Sequence, residues 1–165
     1  MLTKSISTQL LKDGATGIKD LVINRVNVTP MDNYVRVALT LNKPVPAYVR
    51  NDDGEYEEGE SSVVFTSSFH LMSIFTSEDN PCEAVNVADH FREHPKGLIP
   101  LLRGATISLV QERVAANDAY RNPFAPNSEA TVRDHDTIIN HVVNIKLSES
   151  GKAVINRIED NYLFG

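Results

Sequence analysis

Hydrophobic and polar residues alternate in several stretches of the chain, and those stretches predict strands. Leu21 to Val28 is rich in β-branched residues and halts at Thr29-Pro30. Met31-Asp32-Asn33 reads as a turn. Tyr34 to Leu41 then alternates: Val35, Val37, Leu39 and Leu41 share one face, and Tyr34, Arg36, Ala38 and Thr40 share the other. Two strands joined so tightly predict an antiparallel hairpin. Residues 42–61 read as a long polar loop with Pro44, Pro46, Gly54 and Gly59. Strand character returns over 62–75, a run long enough to imply a bend or bulge. Asp79 or Asn80 would cap a helix with Pro81 at its first position, running to about residue 94 and ended by Pro95 and Gly97. Leu98 to Leu102 is an apolar packing segment. Residues 105–114 predict a fourth strand, 115–134 a second long loop, 135–147 a fifth strand and 148–160 a C-terminal helix.

This order predicts a mostly β protein with minor α. Five strands, with a helix between the third and fourth, follow the element order of an OB-like Greek-key barrel. The chain reads as a single domain, 1–165. Residues 1–17 form an N-terminal arm, 18–147 the barrel core and 148–165 a short C-terminal helix and tail. At 165 residues the core is large enough to fold alone. No stretch approaches the ~20 apolar residues of a membrane span, and the first residues lack the apolar run of a signal peptide. One cysteine, Cys82, excludes an internal disulfide and any multi-cysteine zinc site. A cytoplasmic protein with no membrane partner is the expectation.

Charge changes the picture only once it is located. The net charge is -6, from 16 basic and 22 acidic residues. Six of the acids, Asp52, Asp53, Glu55, Glu57, Glu58 and Glu60, crowd into residues 51–60, and the remainder is neutral. Binding depends on local patches, so the acidic total does not exclude an anionic partner.

Catalytic patterns are sparse. His90-Phe-Arg-Glu-His94 matches the H-x-x-E-H metalloprotease spacing, but Pro95 ends the helix at once and nothing marks a third ligand. Asp134-His135-Asp136 and His141 read as structural, and Cys82 as an inert thiol. No nucleophile elbow, phosphate-cradling glycine loop or nucleotide fingerprint is present. The expectation is a non-catalytic protein with no cofactor and no metal. Single-strand nucleic-acid binding needs only aromatic faces for bases and cations for phosphates. The candidates are Arg25 on the first strand, Tyr34 and Arg36 on the second, and Lys43, Tyr48 and Arg50 in the first long loop. Arg113, Tyr120, Arg121, Phe124 and Arg133 lie around the second loop.

The run from Leu102 to Phe124, followed by Asp134-His-Asp-Thr-Ile-Ile-Asn-His141, resembles the fourth and fifth strands of phage-type single-stranded DNA-binding proteins. The resemblance spans 18–147 as an element pattern. It implies an OB-fold whose long loops clasp single-stranded DNA during replication or recombination, in the host cytoplasm if phage-encoded. The ending Ile158-Glu-Asp-Asn-Tyr-Leu-Phe-Gly165 resembles the acidic, aromatic-ended tails of that family. It implies contact with replication proteins, although it carries only two acids. Pairing of a long strand at an edge would give a homo-oligomer. The rival expectation is a phage structural or protein-interaction β-barrel that binds no nucleic acid.

Overall fold

The computed structural model describes residues 2–75 and 85–164. Helix α1 (Leu2–Lys12) leads into β1 (Thr16–Pro30), β2 (Val35–Arg50) and β3 (Tyr56–Ser67). Helices α2 (Ser68–Phe75), α3 (Val85–Glu93) and α4 (Leu98–Leu102) follow, the last entered through a 3-10 turn at Pro95–Gly97. Then come β4 (Thr106–Val114), the short β5 (Ala119–Tyr120) and β6 (Thr131–Val132), β7 (Thr137–Lys146) and α5 (Glu149–Phe164). Strand makes up 46% and helix 30%, so the mostly β expectation holds. The proposed cap at 79–81 and Cys82 lie outside the described residues.

Five strands form one antiparallel sheet in the order β3-β2-β1-β4-β7, and β5 and β6 pair separately. β1 is longer than its β-branched stretch because it serves two partners. Its first part pairs with β4 from Thr16↔Gln111 to Val22↔Thr106, and its second part pairs with β2 from Ile23↔Leu41 to Pro30↔Val35. The register shifts between Ile18 and Leu21, where Asp20 has a φ of 61°, a conformation an Asp tolerates better than a β-branched residue. Leu21, Ile23, Val26, Val37, Leu39, Leu41 and Val64 turn inward and meet Leu71, Phe75, Phe91, Leu98 and Leu102 in one core. This is the inward face expected of the second strand.

Three expectations change. The run 62–75 is not one bent strand. Ser67 ends β3, and its Oγ accepts the His70 N–H at 3.1 Å, capping α2. Helical spacing then buries Leu71, Met72, Ile74 and Phe75 together, which outweighs their strand propensity. Residues 42–61 are not a loop but the outer half of the β2–β3 hairpin, paired from Val45↔Ser61 to Arg50↔Tyr56. Prolines fit there because β1 leaves β2 at Leu41, so the outer half of β2 has β3 on one side only. The true turn is Asn51 to Glu55. Asn51 Oδ1 accepts from the N–H groups of Asp53 and Glu55, and Gly54 takes a φ of 79°. Finally, the expected C-terminal helix runs past residue 160. Ser148 caps α5 through the Gly151 N–H, Ile155 and Ile158 are buried in the core, and helix continues to Phe164.

The outermost strands, β3 and β7, have no hydrogen-bonded ladder between them. Side chains join them instead. His70, in α2 just after β3, donates Nε2–H to the Val142 carbonyl of β7 at 2.7 Å. Tyr56, at the start of β3, stacks on His135, just before β7, at 3.8 Å and 6°.

Candidate nucleic-acid interface

The register of β1, β2 and β3 sets out the outward face of the sheet residue by residue. Arg25, Thr40 and Val63 form one row; Asn27, Ala38 and Phe65 the next; Thr29, Arg36 and Ser67 the third. The central strand contributes Thr40, Ala38 and Arg36 to these rows. Phe65 stands along one side and Arg25 and Asn27 along the other. Arg36 Cζ sits 5.1 Å from the Phe65 ring centroid, a cation–π distance. Phe65 is 54% exposed and Tyr34, at the foot of β2, is 50% exposed.

The third row opens into a cleft of about 370 Å³ between the ends of β2 and β3 and the middle of β7. Tyr34, Arg36, Phe65, Ser67 and His70 line one wall; Asn122, Arg133, Asn140 and His141 line the other. None of the described residues lining it is acidic, in a chain with 22 acids. Arg36 Nε is buried and has no hydrogen-bond acceptor among the described residues. An unpartnered buried donor costs about 1–3 kcal/mol, and more when it belongs to a charged group.

Behind the cleft lies a buried polar cluster. The Phe124 ring packs 5.3 Å from His70, edge-on, and 4.9 Å from His141. His141, only 3% exposed, places Nε2 2.8 Å from Glu112 Oε2, and the Tyr120 hydroxyl donates to the same oxygen. Burial pushes both histidines below their ordinary pKa. The Val142 carbonyl opposes the shift at His70, and Glu112 opposes it at His141. Burial, and then the neighbouring Glu112 carboxylate, pushes the Tyr120 phenol up.

The structure brings some of the sequence candidates together and separates others. Tyr34, Arg36 and Arg133 line the cleft, and Arg25 shares the outward face with Arg36. Phe124 and Tyr120 sit behind the cleft as packing and hydrogen-bonding groups, because the loop that carries them folds onto His141. Arg121 is exposed and donates to the Pro126 carbonyl. Lys43 is exposed in the irregular stretch between Thr40 and Val45. Tyr48 and Arg50 belong to the acidic outer hairpin. Arg50 Nε donates to the Gly54 carbonyl, and its guanidinium lies 5.8 Å from the Tyr56 ring. Arg113 is held by Glu58, Nη1 to Oε1 at 2.6 Å.

Sequence reading missed Phe65, His70, Asn122 and Asn140. Phe65 was legible: Val64 faces inward, so period-2 alternation turns Phe65 outward with Arg36. The other three are set by chain crossings that no local pattern reveals. His90 and His94 have ring centroids 5.0 Å apart at the end of α3. Among the described residues no three His, Cys, Asp or Glu side chains group to hold a metal ion, and no helix is long and apolar enough to cross a membrane.

No protein-family model matches the chain, and no curated protein or solved structure matches it. The fold and site therefore define its class by physics alone: a mostly β domain with a donor-rich, acid-free cleft beside exposed aromatic rings.

Proposed function

We propose that the protein binds single-stranded DNA without catalysis. The observation that carries this reading is a face with no acid among its described residues, on which exposed Phe65 and Tyr34 stand beside Arg36, whose Nε lacks an acceptor among them. Exposed rings offer faces for bases, arginines offer charge to phosphates, and neither needs a sequence motif. The sheet order β3-β2-β1-β4-β7 supports an OB-like arrangement, in which β3 and β7 would be the strands that face each other. In such folds the face of strands two and three and the loops after strands one and four bind oligonucleotides. Here those parts are β2–β3, residues 31–34 and residues 115–136. The setting in phage-type replication or recombination rests on the resemblance in 102–124 and 134–141.

The test is a titration with a 30-nucleotide single strand at two salt concentrations. Affinity should fall as salt rises, with a log–log slope near ~-0.7 per phosphate contacted. Arg36→Ala should weaken binding and flatten the slope. Absence of binding at low salt would overturn the reading. A protein-interaction module is the second reading, favoured by Phe69, which is 77% exposed on α2 and outside the cleft.

A further inference from the structure

Several side chains lining the cleft have an acceptor engaged and a donor left over. Asn122 Oδ1 accepts the Phe124 N–H at 2.9 Å, and Asn140 Oδ1 accepts Gln111 Nε2 at 2.8 Å. The amide NH2 group of each asparagine is therefore the end left over. Ser67 Oγ accepts the His70 N–H and retains its hydroxyl proton. Among the described residues Arg36 Nε has no acceptor, and Arg133 makes a 3.4 Å contact from Nη1 to Thr131. A pocket with several free donors, two of them guanidinium groups, and no acid among its described lining residues matches a tetrahedral oxyanion. Such an ion presents acceptors in three dimensions and suits the guanidinium fork.

We propose that this cleft is a discrete phosphoryl pocket, holding one phosphate group between Arg36 and Arg133 with Ser67, Asn122 and Asn140 donating to its remaining oxygens. The nucleic-acid reading supplies the source of that phosphate, so the inference rests on it, but the chemistry applies equally to free phosphate. The phosphate can be a terminal monoester or an internal diester of the strand. About 370 Å³ accommodates the phosphate and part of its nucleotide.

The experiment measures binding of inorganic phosphate to the whole chain by calorimetry, against chloride at matched ionic strength. Saturable binding is expected. Arg36→Lys keeps the charge but removes the fork and should weaken it at least tenfold, as should Asn122→Ala. Arg25→Lys, on the same face but outside the cleft, should change it less than twofold. Tetrathymidylate with and without a terminal phosphate separates the sources. A preference for the phosphorylated form that Arg36→Lys abolishes assigns a terminal group. Equal binding of both forms, displaced by inorganic phosphate, assigns an internal one. No phosphate binding, or equal binding by wild type and Arg36→Lys, overturns the pocket. If the 30-mer still binds in a salt-dependent way, the nucleic-acid reading survives that result. If the 30-mer also fails to bind, both fall.

Discussion

The inner and outer halves of one hairpin, β2–β3, form two opposite surfaces. The inner half, Val35–Leu41 with Val63–Ser67, buries Val37, Leu39 and Val64 and presents Arg36 and Phe65 outward with no acid beside them. The outer half, from Val45↔Ser61 to the turn at Asn51, carries acids at 52, 53, 55, 57, 58 and 60. Its Arg50 is held by the Gly54 carbonyl and its Tyr56 by His135, and its Glu58 holds Arg113 of β4. Arg36 has no such acceptor at Nε among the described residues. A cation's availability, rather than its presence, separates a binding surface from a scaffold.

The comparison breaks most sharply in the core. Leu39→Ala empties a site with no exposure, and should cost about 2–5 kcal/mol in denaturant unfolding. Val49→Ala, half-buried on the outer arm, should cost clearly less. Equal losses would mean that the arm is as integral to the core as the root.

Binding separates the halves next. Phe65→Ala should lower affinity by about 1–3 kcal/mol if a base stacks there, with the salt slope nearly unchanged because stacking releases few counterions. Tyr56→Ala, whose ring is already stacked on His135, should change affinity far less. The reverse order in a fluorescence-anisotropy titration would move the site onto the arm.

A smaller effect should appear with pH. His70 and His141 are held below the ordinary value of 6.5, so both are neutral when folded. Unfolding restores that value, and the unfolded chain then binds more protons. Stability should therefore fall as pH drops below 6.5, with no contribution above it. His70 faces His141 on β7 and the Phe124 ring; His141 also meets Glu112 on β4 and Tyr120 on β5. His70→Gln keeps an N–H donor for the Val142 carbonyl and should flatten the decline seen in thermal melts between pH 7 and 5. An unchanged pH profile would show that this ring does not titrate on unfolding.

The smallest effect should come from the arm's charge. Asp52→Asn, Asp53→Asn, Glu55→Gln and Glu57→Gln together leave the Glu58–Arg113 pair intact. They should tighten single-strand binding a few-fold at low salt. The gain should vanish near 0.15 M, where the screening length is ~8 Å. Persistence of the gain at high salt would mean that the arm touches the strand directly.

Period-2 alternation made the root of the hairpin legible, because a strand with one buried face must segregate Val37, Leu39 and Leu41 from Arg36 and Ala38. The same rule located Arg36 and Tyr34 as outward groups. It failed over residues 42–61, where glycines, prolines and acids imitate a loop. Pairing across the hairpin, with one edge of β2 free, supplied the backbone hydrogen bonds that composition did not suggest. It failed again over 68–75, where capping by Ser67 and burial of Leu71, Ile74 and Phe75 favoured helix over local propensity.

By itself, the sequence determined the β-rich class, the inward face of the second strand, the single hairpin turn after Pro30 and the clustering of negative charge. These follow from local steric preference and from burying one side of a strand, which act between neighbours in the chain. The site was decided by the tertiary structure. Ser67, Asn122 and Asn140 lie far apart in sequence, and their leftover donors converge only because β3, β7 and the 115–136 loop meet at one cleft. Which of eleven candidate residues remain free for a ligand depends on which partners the fold has already provided, and that is a property of long-range contact.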